Sequence, residues 1–290
     1  MKLSKKNAPY IFIAPFFMMF TAFSLVPIFY SAWLSFYRVQ GILRPPKFVG
    51  VNNYLSLLQL SRFLNSLGIT FIYTVSHVSI MIIIALILAL VLNLRLKGRN
   101  FFRLAFFLPV ITSLVAAAIV FRLLLSYDMG LVNLILRWMG FARYDWLTDP
   151  KLALPSLVIL GTWRWFGFHM VILLAGLQNI SAELYDAAKM DGAGWLQVTW
   201  YITLPLLFPV IFFCMVISVI GSLQLFDEPY ILTEGGPADH TRSIAMYLYD
   251  TGFLRFRLGM ASAIGYVLTI IVFIATLFQI RILGKQAGFR

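Results

Sequence analysis

Six apolar stretches divide this chain of 290 residues: Tyr10–Phe36, Leu67–Leu94, Leu104–Leu124, Leu152–Leu177, Leu206–Phe226 and Leu258–Leu283. Each is long enough to cross a hydrocarbon core of about 30 Å as an α-helix. The barrel alternative needs segments of about ten residues that alternate strictly between apolar and polar. The stretch "IMIIIALILALVL" has no such alternation, so the pattern predicts an all-α membrane protein built as a six-helix bundle. Composition agrees. Hydrophobic residues make up 61% of the chain and charged residues 12%, against roughly 25% charged in a soluble domain.

The first stretch follows Lys2, Lys5 and Lys6, as the apolar core of a signal peptide would. It is too long for that core, and no small-residue cleavage site follows before Trp33, so it is expected to stay as the first helix. The one cysteine, Cys214, lies inside the fifth stretch and cannot form an internal disulfide, so it does not report the redox compartment.

The net charge of +12 is not gathered into a basic stripe with interleaved aromatics, which argues against nucleic acid as a partner. The basic residues sit at helix ends instead. Met1–Lys6, Arg95–Arg103 and Arg281–Arg290 are short, basic and free of acids. Six crossings put all three on one side, which the positive-inside rule makes cytoplasmic, together with both termini. The opposite loops carry Asp128, Asp145, Asp149, Glu234, Asp239 and Asp250.

One loop on the cytoplasmic side departs from the rule. It holds Glu183, Asp186 and Asp191 against Lys189 alone. Ser181 is a suitable N-cap, and Glu183 falls in the first turn, where the helix dipole favours an anion. Leu184, Ala187 and Ala188 then share a face at helical spacing. Gly192 and Gly194 permit a turn. A second short amphipathic helix is expected to present Trp195, Val198, Thr199 and Ile202, with Pro205 opening the fifth membrane helix, where its missing N–H costs nothing. The result is a helix–turn–helix at the membrane surface with a shallow, small-residue face. Interfacial helices that bind anionic lipid carry Lys and Arg on the polar face. This one is acidic and suits a protein partner better, although an ordinary interfacial loop is the alternative.

Polar residues deep in a membrane helix are costly and point to function. The segment "GTWRWFGFHM" places Arg164 and His169 near the middle of the fourth helix, among Trp163, Trp165 and Phe168. Aromatic faces with a few hydrogen-bonding groups suit sugars. Arg164 could instead pair with Asp227 or Glu228, or snorkel to an interface. On the fifth helix, Ser218, Gly221 and Ser222 fall on one face and Gln224 follows; small residues there could equally serve helix packing.

The spacing Asp186-Ala187-Ala188, three residues, Gly192, nine residues, Ile202-x-Leu204-Pro205 resembles the "EAA" loop of permeases from binding-protein-dependent ABC importers, with Asp in the place of the usual Glu. "FVGVNNYLSLL", "LAGLQNISAELYDAAKMDGAG" and "LFDEPYILTEGGPADHT" resemble the carbohydrate-type branch, related to maltose, glycerol-3-phosphate and multiple-sugar permeases. The resemblance implies a single type I importer permease domain over residues 1–290. Its cytoplasmic helix–turn–helix would dock on an ATP-hydrolysing subunit through Glu183, Asp186, Ala187, Ala188, Asp191, Gly192, Ala193, Ile202, Leu204 and Pro205. It implies substrate contacts at Trp165, Phe168, Ser218, Gly221 and Ser222, with His169 and Gln224 beside them and Arg164 added by its position in the membrane. Trp165 and Gly221 depart in size from the maltose pattern, implying a differently shaped cavity and a different sugar.

No G-x-x-x-x-G-K-[ST] motif occurs, so ATP and magnesium are expected in partner subunits and no cofactor in this chain. His77, His169 and His240 are too dispersed to suggest a metal site. The expectation is a transport subunit of a bacterial or archaeal cell membrane, with no enzymatic activity of its own. Its expected partners are a second homologous permease, a dimer of ATP-binding subunits, an extracytoplasmic solute-binding protein, a sugar and membrane lipid. A scaffold that recruits a cytoplasmic partner without translocation is the alternative.

Overall fold

The computed structural model describes residues 8–39, 41, 45–94 and 97–285. Lys2, Lys5, Lys6, Arg95 and Arg290, on which the orientation reading draws, lie outside the described residues. In chain order the elements are α1 (Ala8–Phe20), a π-helical turn (Thr21–Leu25), α2 (Val26–Ser35), β1 (Tyr37–Arg38), β2 (Lys47–Phe48), α3 (Asn52–Gln59), α4 (Ser61–Asn93), α5 (Arg99–Ile111), α6 (Leu114–Leu124), α7 (Leu131–Trp138), α8 (Ala153–Gln178), α9 (Ala182–Met190), α10 (Trp195–Val198), a second π turn (Thr199–Thr203), α11 (Leu204–Leu223), α12 (Asp227–Leu232), α13 (Ile244–Tyr249), a third π turn (Asp250–Leu254) and α14 (Leu258–Leu283).

Among the described residues, five helices are long and apolar enough to cross a membrane: Phe12–Ser35, Ser61–Asn93, Ala153–Gln178, Trp195–Leu223 and Leu258–Leu283. The sixth expected crossing, Leu104–Leu124, is not one straight helix. It consists of α5 and α6, bent by 99° at their junction. Thr112 and Ser113 are extended there (ψ 139° and 127°), and Pro109 in the last turn of α5 has no N–H to hold the preceding turn. Apolar content alone cannot register such a break.

Two of the spans contain a π turn that ends two residues before a proline, Pro27 in one and Pro205 in the other. The wider turn is closed by Val26 N–H to Thr21 O and by Leu204 N–H to Thr199 O. This lets each helix run past a residue that cannot donate a bond of its own. The expected short helix and the fifth membrane helix are therefore one continuous span, and Pro205 lies within it instead of starting it.

The chain forms two compact units. In the first, residues 1–61 and 247–267, β1 and β2 form a hairpin that pairs Tyr37 with Phe48 and Arg38 with Lys47. The buried Asn53 side chain donates to the carbonyls of Ser35 (2.7 Å) and Tyr37 (3.0 Å), tying α3 to the end of α2. Tyr266 Oη donates to Ile28 O at 2.5 Å.

The second unit, residues 62–246 and 268–290, holds the larger core. Met81, Ala85 and Ala89 of α4 recur every four residues and are fully buried. They belong to a cluster with Met170, Leu173, Leu174 and Leu177 of α8 and Leu207 and Cys214 of α11. Small side chains on that stripe let helix backbones come close, as membrane helix packing requires. Gly167 of α8 is the extreme case: a Cβ there would lie 1.8 Å from the Phe106 carbonyl oxygen of α5. Helix α4 starts at Ser61, a turn and a half before its apolar stretch. Its polar first turn is held by Arg62, whose guanidinium bonds both carboxylate oxygens of Asp239 at 2.5 and 3.0 Å. That pairing, joined by Arg242, keeps the Asp239 carboxyl below the usual aspartate range.

Candidate functional site

Helices α4, α8 and α11 and the short α12 enclose a cavity with an empty volume of about 790 Å³, counting the space open at its mouth. Its hydrogen-bonding wall consists of two histidine–serine pairs. His169 Nε2 of α8 lies 2.8 Å from Ser218 Oγ, and His77 Nδ1 of α4 lies 3.1 Å from Ser222 Oγ. Ser218 and Ser222 are four residues apart, so α11 presents both hydroxyls on one face. His169 Nδ1 is 3.1 Å from the Trp165 carbonyl. A carbonyl only accepts, so Nδ1 carries the proton and Nε2 accepts from Ser218. The same serine hydroxyl lies 2.6 Å from the Cys214 carbonyl, so one proton faces two acceptors.

The aromatic wall comes from Tyr73, Trp165, Phe168 and Phe226. Trp165 and Phe168 meet edge to face at 6.1 Å, and the Tyr73 and His77 rings stack at 5.1 Å. Tyr73 and His77 fit against α8 because residue 161 is glycine: a Cβ there would stand 2.3 Å from Tyr73 Oη. Gly221 also faces the cavity and has no atom within 4 Å of where a Cβ would be. Its missing side chain is open space.

Charged groups gather at the end formed by α12, which brings Asp227 and Glu228 to the cavity beside Arg164 of α8. The Arg164 guanidinium carbon sits 5.5 Å from the centre of the Trp165 ring, within cation–π range. Its Nε is buried without a hydrogen-bond partner. Glu228 is 8% exposed. Burial raises its carboxyl above the ordinary glutamate range, with its own backbone N–H, the Arg164 charge and the Trp165 indole N–H pulling the other way. Among the described residues, Arg164 makes no ion pair within 4.0 Å of Asp227 or Glu228. The alternative in which Arg164 pairs with an acid of α12 is therefore not seen.

The acidic elbow is a separate surface. Ser181 Oγ accepts from the Glu183 N–H at 3.3 Å and opens α9. At the other end Ala193 N–H donates to Ala188 O (2.9 Å) and Gly192 N–H to Lys189 O (3.0 Å), the two bonds of a Schellman cap. That cap needs a left-handed residue, and Gly192 supplies it at φ +76°. Asp186 and Lys189 pair at 3.4 Å, both about three-quarters exposed. Leu184 and Ala187 are exposed but Ala188 is buried, so the expected three-residue face is split. Tyr185 Oη meets Thr203 Oγ1 at 3.3 Å, folding α9 back on the base of the fifth span and turning Ala188 inward.

Residues 54–283 match the family model described as "Binding-protein-dependent transport system inner membrane component". The chain belongs to that family. The permease is 37% identical over 288 residues to the arabinooligosaccharides transport system permease protein AraP of Bacillus subtilis (strain 168), an alignment covering 98% of this chain and 91% of that one. It is 40% identical to the lactose transport system permease protein LacF of Rhizobium radiobacter, covering 93% and 92%. Its fold matches that of a bacterial ABC transporter involved in the import of the acidic polysaccharide alginate, with a TM-score of 0.86, 25% sequence identity, and 97% and 96% of the two chains covered. Taken as one span, the bent α5–α6 pair brings the candidate crossings among the described residues to six, in keeping with the type I importer permease fold.

All eight residues nominated from the sequence for substrate contact, Arg164, Trp165, Phe168, His169, Ser218, Gly221, Ser222 and Gln224, line the one cavity of the permease described above. The ten elbow residues do not form one exposed patch. Ala188 is buried, and Ile202 and Leu204 lie in the continuous span with Pro205. Sequence reasoning missed Tyr73 and His77 as lining residues and named Glu228 only as a possible partner for Arg164. Thr70, Thr74 and His77 are buried at helical spacing within a membrane-length helix, so the rule that singled out His169 would also have found His77.

Proposed function

We propose that this permease is the pore-forming subunit of an ATP-driven sugar importer, carrying its substrate by alternating access from an extracytoplasmic binding protein to the cytoplasm. The observation that supports this most directly is the cavity: aromatic rings, two histidine–serine pairs and three charged groups converge inside a helical membrane bundle. Rings stack on the C–H faces of a sugar while hydroxyls find both donors and acceptors. The names of its relatives, permeases for arabinooligosaccharides and lactose, support saccharide as the ligand class. A neighbouring structure of the alginate transporter holds an alginate pentasaccharide-bound periplasmic protein, which supports a binding protein as the donor.

In this reading residues 1–290 act as one transmembrane domain beside a second, homologous permease subunit. Both termini and the elbow face the cytoplasm of a bacterial or archaeal cell. A dimer of ATP-binding subunits, which hold the ATP and magnesium, docks against Glu183, Asp186, Ala187, Asp191, Gly192 and Ala193. This chain holds no cofactor and performs no hydrolysis. Closure of the ATPase dimer shifts the bundle only if the elbow is bound differently in its two states. The capped α9 and its tether at Tyr185–Thr203 make the elbow stiff enough to pass that difference to the fifth span.

Uptake of radiolabelled arabinooligosaccharide, lactose or maltose into proteoliposomes, with and without the ATPase subunits, tests the proposal. ATP-dependent accumulation of at least one is expected. If a fully assembled complex binds the ATPase yet accumulates none of them, a scaffold role takes over.

A further inference from the structure

Two groups at the charged end of the cavity have hydrogen-bonding capacity that the protein does not use. Arg164 Nε is buried with no partner. Glu228, only 8% exposed, has its own backbone N–H and the Trp165 indole N–H as polar neighbours, whereas a carboxylate can accept about four hydrogen bonds. Buried polar groups are seldom left in this state, and both groups line the cavity wall beside Trp165 and Phe226. A ligand that belongs there offers an acceptor to the guanidinium and a donor to the carboxyl.

Hydroxyl groups do both. An anionic ligand satisfies Arg164 alone and brings its charge against Asp227 and Glu228; a cation does the reverse. Glu228 keeps an accepting oxygen in either protonation state, so the match to a hydroxyl does not depend on its charge. The ring walls disfavour a small, strongly hydrated ion and favour the flat C–H face of a sugar ring.

We propose that Arg164 and Glu228 bind neighbouring hydroxyls of one neutral sugar unit and that Glu228 with Asp227 excludes acidic sugars from this cavity. This rests on the saccharide reading above and narrows it. It separates the permease from the alginate importer whose fold it shares, since that transporter imports an acidic polysaccharide.

The test uses the complex of both permease subunits and the ATPase in lipid nanodiscs, without binding protein, observed by saturation-transfer NMR, which detects weakly held ligands. The probes are lactose, maltotriose and arabinotriose as neutral sugars and trigalacturonate as the acidic one. Variants Glu228→Gln and Arg164→Gln are first checked for assembly by size-exclusion chromatography. In the parent complex at least one neutral sugar should receive saturation about fivefold or more above trigalacturonate. Glu228→Gln should close that gap by raising the trigalacturonate signal, and Arg164→Gln should lower the neutral-sugar signal by a similar factor. The pairing is refuted, with the sugar cavity left standing, if the parent binds trigalacturonate as well as the neutral sugars or if both assembled variants behave as the parent. If the parent binds no saccharide of either charge, the importer reading fails and the pairing falls with it.

Discussion

The elbow and the cavity are built in opposite ways. The elbow is local: cap, first-turn acid, turn glycine and ion pair all lie between Ser181 and Gly194, and nearly every side chain is exposed. The cavity is assembled from four elements spread over Tyr73–Glu228, and most of its lining is buried or half-buried. One surface is made by short-range hydrogen bonds and left open. The other is made by long-range backbone approach and closed over polar groups. A change at the elbow should therefore alter coupling and spare the fold, whereas a change in the packing around the cavity should damage the fold first.

Glycine substitutions test this contrast most sharply. Gly167→Val sets a branched side chain against the Phe106 carbonyl, where even a Cβ would stand 1.8 Å away. Overpacking against backbone should cost about 3 kcal/mol or more, read as loss of monodisperse protein on size-exclusion chromatography. A well-folded Gly167→Val complex would break the claim that long-range approach builds this region. Gly192→Val meets no neighbouring atom within 4 Å and pays only the left-handed backbone penalty, about 1–2 kcal/mol. Melting should shift slightly, while ATP-driven uptake falls by about a hundredfold if the partner reads the elbow. Unimpaired uptake would remove the elbow's assigned role.

Two finer changes address the cavity itself. Gly221→Leu projects into empty cavity volume, so it should lower sugar uptake about tenfold without lowering the melting temperature. A marked loss of stability would show that Gly221 serves packing instead. The smallest effect concerns pH. Burial raises the folded Glu228 carboxyl above an unfolded value of roughly 4.3. The folded state then binds more protons between those two values, so stability falls as pH rises through that window and stays lower above it. Glu228→Gln should flatten this dependence, narrowing the difference in melting temperature between pH 4.5 and pH 7 by roughly 2 °C.

How much of each region can be read in advance follows from the same contrast. The elbow's Ser181 cap, its first-turn Glu183 and its turn at Gly192 follow from residues within a few positions of one another, and all three appear as expected. What fails there is the link to the next element: Ala188 turns inward through the Tyr185–Thr203 contact, and Pro205 lies inside a span because a π turn precedes it. In the cavity, polar residues inside apolar stretches point to Arg164, His169 and Ser218. Tyr73 reads as one more aromatic in an apolar run until Gly161 is seen opposite it. Glu228, read from the sequence only as a possible partner for Arg164, joins the cavity because α12 brings it there.

The six apolar stretches, with no alternation and few charges, determined by themselves that the chain is a helical membrane bundle, because backbone amides in lipid must find partners within their own segment. Local chemistry likewise determined the elbow. Only the tertiary structure decided that the third crossing breaks at Thr112–Ser113, that His77 and His169 face serines one turn apart, and that Arg164 and Glu228 share a cavity without pairing. Those outcomes depend on which helix backbones approach closely enough to touch, and that is settled between residues as far as 145 positions apart, beyond the reach of any local pattern.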